Sequence, residues 1–178
     1  KNSIISIREW QLRDFSSSKY KNVDDKPYGG GAGMVMQVKP IRDCLIKIKE
    51  LEPNTKVIYL SPQGEPLNQK LVEKLSSFES LTLLCGRYEG VDERVIENDI
   101  DFEVSIGDYV ISGGELASMV LIDAVSRRLD SVLGNKDSLN DSFTNNLLDH
   151  PHYTRPETID GDSVPEVLSV SYTHLRAH

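Results

Sequence analysis

The feature that most constrains the fold is a pair of short apolar runs, each followed by a glycine-bearing polar segment. Leu81 to Cys85 and Val104 to Ile111 have the length and composition of buried strands. Gly86 to Gly90 follows the first run, and Ser112 to Glu115 follows the second and opens a helix. Either segment alone is as readily an ordinary turn. Because buried parallel strands deliver their loops to one crevice, functional residues are expected on these two loops.

Helical and extended patterns alternate along the rest of the chain. Pro40 to Leu51 has apolar residues at helical spacing, Lys56 to Leu60 is a short strand ending in the SPQG loop, and a second amphipathic helix follows from Leu67. This alternation predicts an α/β fold with a mostly parallel sheet and helices on both faces. A half-buried strand is predicted at Ile4 to Trp10. The helix Leu116 to Leu129 is apolar nearly all round, which fits a subunit interface and a central core helix equally well.

Composition sets broad limits on the function. With 178 residues, 38% of them hydrophobic, the chain can form one domain with a sizeable core. It has no apolar run near the roughly 20 residues that span a bilayer, so a soluble protein is expected. Cys44 and Cys85 lie in apolar patterns, which favours buried thiols and a reducing cytoplasm. The net charge of −8 argues against a generic nucleic-acid binder and favours a small-molecule enzyme.

The ordered motifs carry a resemblance. CGRYEGVDERV and SIGDYVISGGEL, together with PYGGGAGM, VIYLSPQG, LIDAVSR and LLDHPHYTRPE, closely resemble the bacterial tRNA (guanine-N1)-methyltransferases, the TrmD family of the knotted SPOUT class. The resemblance extends from Ser6 to Leu168. It implies a deep trefoil knot, S-adenosylmethionine as methyl donor, and methylation of N1 of guanosine at position 37 of tRNA. It also implies a cytoplasmic homodimer whose active sites are shared between subunits, with no membrane association.

The same resemblance assigns site residues. It implies that Asp141 is the general base for the guanine N1 proton and that Arg127 stabilises charge on O6. Glu89 is implied to contact the guanine and to take part in a Mg²⁺ requirement. Considered alone, Asp141 is a helix cap and Arg127 a solvated charge at a helix end. The cofactor-binding residues implied are Tyr59, Leu60, Ser61, Pro62, Gly86, Tyr88, Ile106, Gly107, Asp108, Tyr109, Val110, Ile111, Gly113, Gly114 and Leu116.

The resemblance also defines an expected domain organisation. Residues 1–168 are expected to correspond to the knotted donor-binding domain without its first strand. Within this range, residues 134–146 are expected to form an interdomain linker. The C-terminal tRNA-binding domain of the family is expected to be missing. Residues 169–178 read SVSYTHLRAH, which looks like a translated sequencing adapter. No metal site is predicted, since His150 and His152 are expected to be hydrogen-bonded loop residues. Ala32 and Ala117 stand where the family usually has proline.

Two other interpretations compete with this one. The first is another knotted methyltransferase acting on a different RNA base, which the combination of GRYEG, LIDAVSR and DSF disfavours. The second is a non-catalytic cofactor-binding or dimerisation module, which an acidic chain without the tRNA-binding domain could be. A nicotinamide enzyme is disfavoured because no GxGxxG follows a strand.

Overall fold

The computed structural model describes residues 4–129, 132, 142–143 and 147–169. The chain forms two compact units, Lys1–Asn140 and Asp141–His178. In chain order the first unit contains a 3₁₀ turn (Leu12–Phe15), strands β1 (Asp24–Asp25) and β2 (Val35–Met36), helix α1 (Val38–Leu51), strand β3 (Lys56–Pro66), helix α2 (Gln69–Ser76), strand β4 (Leu81–Cys85), helix α3 (Glu93–Asp99), strand β5 (Phe102–Ser105) and helix α4 (Gly114–Ser126).

Three strands form a parallel sheet in the order β4-β3-β5. Lys56–Leu60 pairs in register with β4, and β5 pairs with the other edge of β3. The register with β5 shifts because both Leu60 and Glu65 lie opposite Val104. The four residues Ser61–Gly64 therefore bulge out of the sheet, and the strand resumes beyond them. The predicted strand at Lys56 to Leu60 and its loop are confirmed, but the strand continues to Pro66.

Helices cover both faces of the sheet, as predicted. Side chains alternate along β3, so Val57 and Tyr59 join the cluster formed with α1 and α3, whereas Ile58 and Leu60 join the cluster formed with α2 and α4. Val57 and Ile58 are completely buried. Because β3 is apolar on both faces, it reads as a continuous apolar run, as central parallel strands do.

The connections explain the placement of the helices. The crossover from β3 through α2 reaches β4 on one side, and the crossover from β4 through α3 passes over β3 to reach β5 on the other. The two crossovers run in opposite directions and carry their helices on opposite faces. Both crossovers therefore have the same hand, as the handedness rule for parallel connections requires.

Local sequence accounts for the helix starts. Asn68 caps α2 by accepting a hydrogen bond from the amide of Leu71 at 2.9 Å. Asp92 caps α3 by accepting from the amide of Arg94 at 3.0 Å. Helix α1 begins two residues before the predicted Pro40, which lies in the first turn where an amide N–H is not needed.

Two strand predictions are wrong in part or in full. Ile4 to Trp10 forms no strand, and Ile7 is 70% exposed. Alternation specifies a strand only where a neighbouring strand can pair with its backbone groups. The run Val104 to Ile111 contributes only its first two residues to β5, which begins at Phe102. Gly107 has a φ of 146°, which ends the extended conformation, and the rest of the run is a loop.

The second unit contains a short antiparallel hairpin, β6 (Thr158–Ile159) with β7 (Asp162–Ser163), and helix α5 (Glu166–Ser169). Asp160 and Gly161 at the turn both have positive φ, the backbone of a two-residue hairpin loop. Most of the predicted linker, 134–146, and residues 170–178 of the predicted tail lie outside the described residues. Within the described part of the chain, no helix is both long and apolar enough to cross a bilayer.

Gly114→Ala tests the closest packing in the fold. A Cβ at Gly114 would lie 2.7 Å from Cys85 Cα and 2.9 Å from the Gly86 nitrogen. Glycine to alanine in a helix ordinarily stabilises by up to about 1 kcal/mol. Here we expect the free energy of unfolding to fall by about 1–3 kcal/mol, because backbone atoms must shift. Urea unfolding measures this change, and the exposed Ser112→Ala is the control. An unchanged or raised stability for Gly114→Ala would contradict the close approach.

Candidate active site

The loops that follow β3, β4 and β5 meet at one end of the sheet. The strands are parallel, so their carboxyl ends share an edge. The amide of Gly114 donates to the carbonyl of Gly86 at 3.0 Å, which joins the loop after β4 to the start of α4. The amide of Leu67 donates to the carbonyl of Ser105 at 2.8 Å, which joins the end of β3 to the end of β5. The predicted delivery of the loops after β4 and β5 to one edge of the sheet is therefore confirmed.

The buried ring of Tyr59 packs against the loop after β4. Its side chain is buried, and a Cβ at Gly86 would lie 2.9 Å from its ring. Burial raises the pKa of Tyr59, although a hydrogen bond with the backbone of Val91 acts in the opposite direction. Tyr59 therefore stays neutral and supports the loop after β4. Leu60 and Ser61 are also buried, whereas Pro62 is exposed.

Ser105, the last residue of β5, forms hydrogen bonds that hold the start of the loop after this strand. Ser105 Oγ accepts from the amide of Gly107 and donates to the carbonyl of Gly107, each at 3.2 Å. The Tyr109 ring lies over Gly107, where a Cβ would be 2.6 Å from the ring. Asp108, Tyr109 and Val110 are exposed, and Ile106 and Ile111 are half-buried. The loop thus presents side chains and backbone to solvent at the edge of the sheet.

A cavity of about 490 Å³ opens beside this loop. Seven residues line it: Arg87, Val110, Ile111, Ser112, Gly113, Glu115 and Leu116. Four of the predicted cofactor residues belong to the lining, namely Val110, Ile111, Gly113 and Leu116. The other eleven predicted cofactor residues, Tyr59, Leu60 and Ser61 among them, do not line this cavity.

Arg87 and Glu115 lie on the two loops predicted to be functional but are not among the predicted site residues. Arg87 Nε donates to Glu115 Oε1 at 2.9 Å, and its Nη2 lies 2.8 Å from the same oxygen. Both side chains are about half exposed. Each residue directly follows a glycine of these loops, Gly86 or Gly114, a signal that could have identified them.

The glycine run Pro27–Gly33 packs beside the loop after β4. The amide of Glu89 donates to the carbonyl of Met34 at 3.0 Å. A Cβ at Gly33 would collide with the Glu89 side chain, and Gly33 has a φ of 86°. Tyr88 also has a positive φ, 61°, and is 51% exposed. The structure therefore places Glu89 and Tyr88 at the edge of the sheet where the loops predicted to bind the methyl donor lie.

The other two predicted catalytic residues are not brought together in the described residues. Arg127 is exposed and follows the last residue of α4. Asp141 lies outside the described residues. Two residues on, Phe143 has a φ of 72°. The roles of Asp141 and Arg127 remain predictions.

One face of α4 is apolar and exposed. Gly114, Ala117, Ser118 and Leu121 face the core, whereas Met119 is 65% exposed and Val120 48%. Leu116 is exposed on the same helix. The helix is therefore not a central core helix, which removes one of the two interpretations of its composition.

In the second unit, His150 and His152 are hydrogen-bonded loop residues, as predicted. His150 Nδ1 lies 3.0 Å from Asp149 Oδ1, and His152 Nε2 lies 2.9 Å from Asp149 Oδ2. The sequence spacing did not identify Asp149 as a third possible metal ligand. In the structure, one ligand atom from each of Asp149, His150 and His152 lies within 4.8 Å of the other two. All three side chains are well exposed, and their hydrogen bonds account for the arrangement.

Comparison with known proteins gives a consistent result. The family model described as "tRNA (Guanine-1)-methyltransferase TrmD" matches residues 1–177. The tRNA (guanine-N(1)-)-methyltransferase of Nitrosospira multiformis is 55% identical, over 98% of this chain and 70% of that protein. The proteins of the same name from Vibrio vulnificus and Vibrio cholerae are 56% identical over 94% of this chain, covering 68% and 69% of their own lengths.

The carboxylate of Asp149 provides a test of the second unit. The hydrogen bond from His152 and then the backbone N–H of His150 lower the pKa of Asp149. We expect His152→Ala to raise that pKa toward its ordinary value, because the largest stabilisation of the ionised form is lost. His150→Ala is the matched control and should raise it less, since the backbone N–H remains. Carboxyl ¹³C NMR titration measures both, and equal shifts would contradict the assigned geometry.

Proposed function

The chain belongs to the tRNA (guanine-1)-methyltransferase TrmD family, and we propose that its three strand-end loops bind S-adenosylmethionine for methyl transfer to N1 of guanosine 37 in tRNA. The observation that carries this proposal is the cavity of about 490 Å³ between the loop after β4 and the segment from the loop after β5 to the start of α4. Both of these segments carry motifs of the family. Methylation of guanine N1 in tRNA is the activity for which the similar proteins are named. Such a reaction takes place in the cytoplasm, where tRNA is found.

The described residues fit a nucleoside donor. Gly113 lines the cavity, and a Cβ at Gly86 or Gly114 would meet neighbouring protein atoms at 2.9 Å or less, so these glycines let the loop after β4 and the start of α4 pack closely beside the cavity. Val110 and Leu116 supply exposed apolar surface. When bound, S-adenosylmethionine supplies an electrophilic methyl group. The remaining task of the protein is to orient donor and acceptor and to exclude water.

The acceptor needs two further groups. Guanine N1 carries a proton, so a base must remove it, and the charge that builds on O6 needs a cation. In this proposal Asp141 is the base and Arg127 the cation. Glu89 contacts the guanine and accounts for any Mg²⁺ requirement. Support for Glu89 comes from its position at the loop after β4, beside the glycine run.

We further propose a C2 homodimer with shared active sites. The exposed apolar face of α4, with Met119 65% and Val120 48% exposed, is the kind of surface that an isologous interface buries. The same helix carries Glu115 at its start and is followed by Arg127 at its end. A dimer formed through α4 therefore places two chains next to each cavity.

The trefoil knot and the domain boundaries of the family are also proposed for this chain. After β5 the chain returns to β4, where the amide of Gly114 meets the carbonyl of Gly86. This return supports a threaded path. Residues 1–168 then form the donor-binding domain. A non-catalytic module remains the second candidate, favoured by the net charge of −8, and it predicts donor binding without methyl transfer.

Methyl transfer to tRNA tests the function directly. We expect the protein to form N1-methylguanosine at position 37 of an unmodified tRNA transcript, detected by nucleoside mass spectrometry. Asp141→Asn should lower the single-turnover rate roughly 10²- to 10⁴-fold, because it removes the basic site. Donor affinity should stay the same. Asn140→Asp, a change of charge in the opposite direction at the neighbouring position, is the control for local charge, and a normal rate for Asp141→Asn would reduce Asp141 to a helix cap.

Mixing variants tests the sharing of sites. If Arg127 and Asp141 of one site come from different chains, an Arg127→Ala and Asp141→Asn heterodimer holds one intact site. An equal mixture should then recover roughly a quarter of wild-type activity, because half of the dimers are mixed and each has one intact site of two. If both residues act from the same chain, mixing restores nothing.

A charge on the exposed face of α4 tests the dimer. We expect Met119→Glu to produce monomers in sedimentation analysis, because a buried unpaired charge opposes association. Ile46→Glu is the matched control, since Ile46 is 60% exposed on α1 and lies on another helix. A Met119→Glu protein that stays dimeric would exclude this face as the interface.

A further inference from the structure

The cavity beside the loop after β5 contains one cation and one anion. Arg87 and Glu115 line it together and form an ion pair with a shortest distance of 2.8 Å between Nη2 and Oε1. Both charges remain about half exposed to solvent. The bonds of Arg87 to this carboxylate use Nε and Nη2 on a single oxygen. A guanidinium has five N–H donors, so further donors are available to a ligand.

Two close approaches fix the position of the pair. A Cβ at Gly113 would lie 2.5 Å from Glu115 Oε2 and 2.8 Å from Arg87 Nε, so a larger residue there would displace one or both of these side chains. Gly113 has a φ of −176°, so the requirement is for space and not for an unusual backbone. Gly114 anchors the start of α4 on the backbone of Cys85. The pair therefore projects from two elements that are held together at their backbones.

The charges restrict the ligand that fits. A cation alone would favour a phosphate or a carboxylate, but Glu115 repels a multiply charged anion such as a pyrophosphate. A zwitterion that carries a carboxylate and an ammonium on neighbouring atoms complements both members of the pair. Val110, Ile111 and Leu116 line the same cavity and suit the apolar part of such a ligand. An exposed ion pair contributes little stability, so a ligand can share its groups at low cost.

We propose that Arg87 and Glu115 form a subsite for an α-amino acid zwitterion, the methionine end of the methyl donor. Arg87 donates to the α-carboxylate, and Glu115 accepts from the α-ammonium. This assignment rests on the proposed function, in which the donor is S-adenosylmethionine. It adds a recognition element, outside the predicted cofactor residues, that distinguishes the donor from other adenosine compounds by its amino acid end.

Calorimetric titration with two probes tests this subsite. S-adenosylhomocysteine has the amino acid end, whereas 5′-methylthioadenosine has the same adenosine and thioether without it. We expect Arg87→Gln and Glu115→Gln each to weaken binding of S-adenosylhomocysteine about 10- to 100-fold, the range for a lost hydrogen bond to a charged group. Binding of 5′-methylthioadenosine should change less than about threefold. Circular dichroism establishes that each variant is folded.

A second ion pair provides the matched control. Arg128 Nη2 lies 3.0 Å from Glu73 Oε1, away from the cavity lining. Arg128→Gln and Glu73→Gln should leave both affinities unchanged. The exchange Arg87→Glu with Glu115→Arg retains a salt bridge but reverses its direction. We expect this exchange to leave S-adenosylhomocysteine binding weak, whereas a purely structural ion pair would be restored by it.

The outcomes separate this proposal from the proposed function. If the wild type binds neither probe, the donor assignment itself fails. If it binds both and the Arg87 and Glu115 variants weaken both equally, or if the exchange restores full affinity, the subsite is overturned while the donor assignment stands. Selective loss of S-adenosylhomocysteine binding supports the subsite.

Discussion

The candidate site depends on the contact between the start of α4 and the end of β4. The amide of Gly114 donates to the carbonyl of Gly86, and the backbone of Cys85 lies where the Cβ of any other residue would be. Without this approach, α4 would move away from the sheet, and Arg87 and Glu115 would separate. Position 114 therefore requires glycine because there is no space for a Cβ, and not because a side chain there would interfere with chemistry. Two glycines therefore determine a cavity whose polar groups come from the residues beside them.

The net charge of −8 and an RNA substrate place opposite demands on the surface. Phosphate binding needs clustered basic residues. In the described residues, many of the basic side chains are engaged by carboxylates, as in the pairs of Arg42 with Asp99 at 2.7 Å and of Lys56 with Asp101 at 3.1 Å. These pairs tie α1 to α3 and β3 to the start of β5. In the described part of the first unit, carboxylates therefore compete with phosphate for these basic side chains.

The sequence predicted the elements whose patterns are set by burial. The helix Pro40 to Leu51 and the strand Leu81 to Cys85 were placed correctly because the apolar core determines their periods. Ile4 to Trp10 was misassigned, since a strand also needs a pairing partner that its own residues do not reveal. The ion pair of Arg87 with Glu115 was missed for a related reason. Its partners are 28 residues apart, and only the packing of α4 on β4 brings them together.

In the proposed dimer, helix α4 contributes to both the donor cavity and the interface. Its inner face uses Gly114, Ala117, Ser118 and Leu121 to approach the sheet closely, so its larger apolar residues are left on the outer face. A helix that supported the donor loops with bulky inner residues would lie farther from β4 and lose the cavity. Small inner residues therefore favour a large outer apolar surface, and that surface is best buried by a second chain. The packing that forms the proposed donor cavity thus also leaves exposed the apolar face that we propose as the dimer interface.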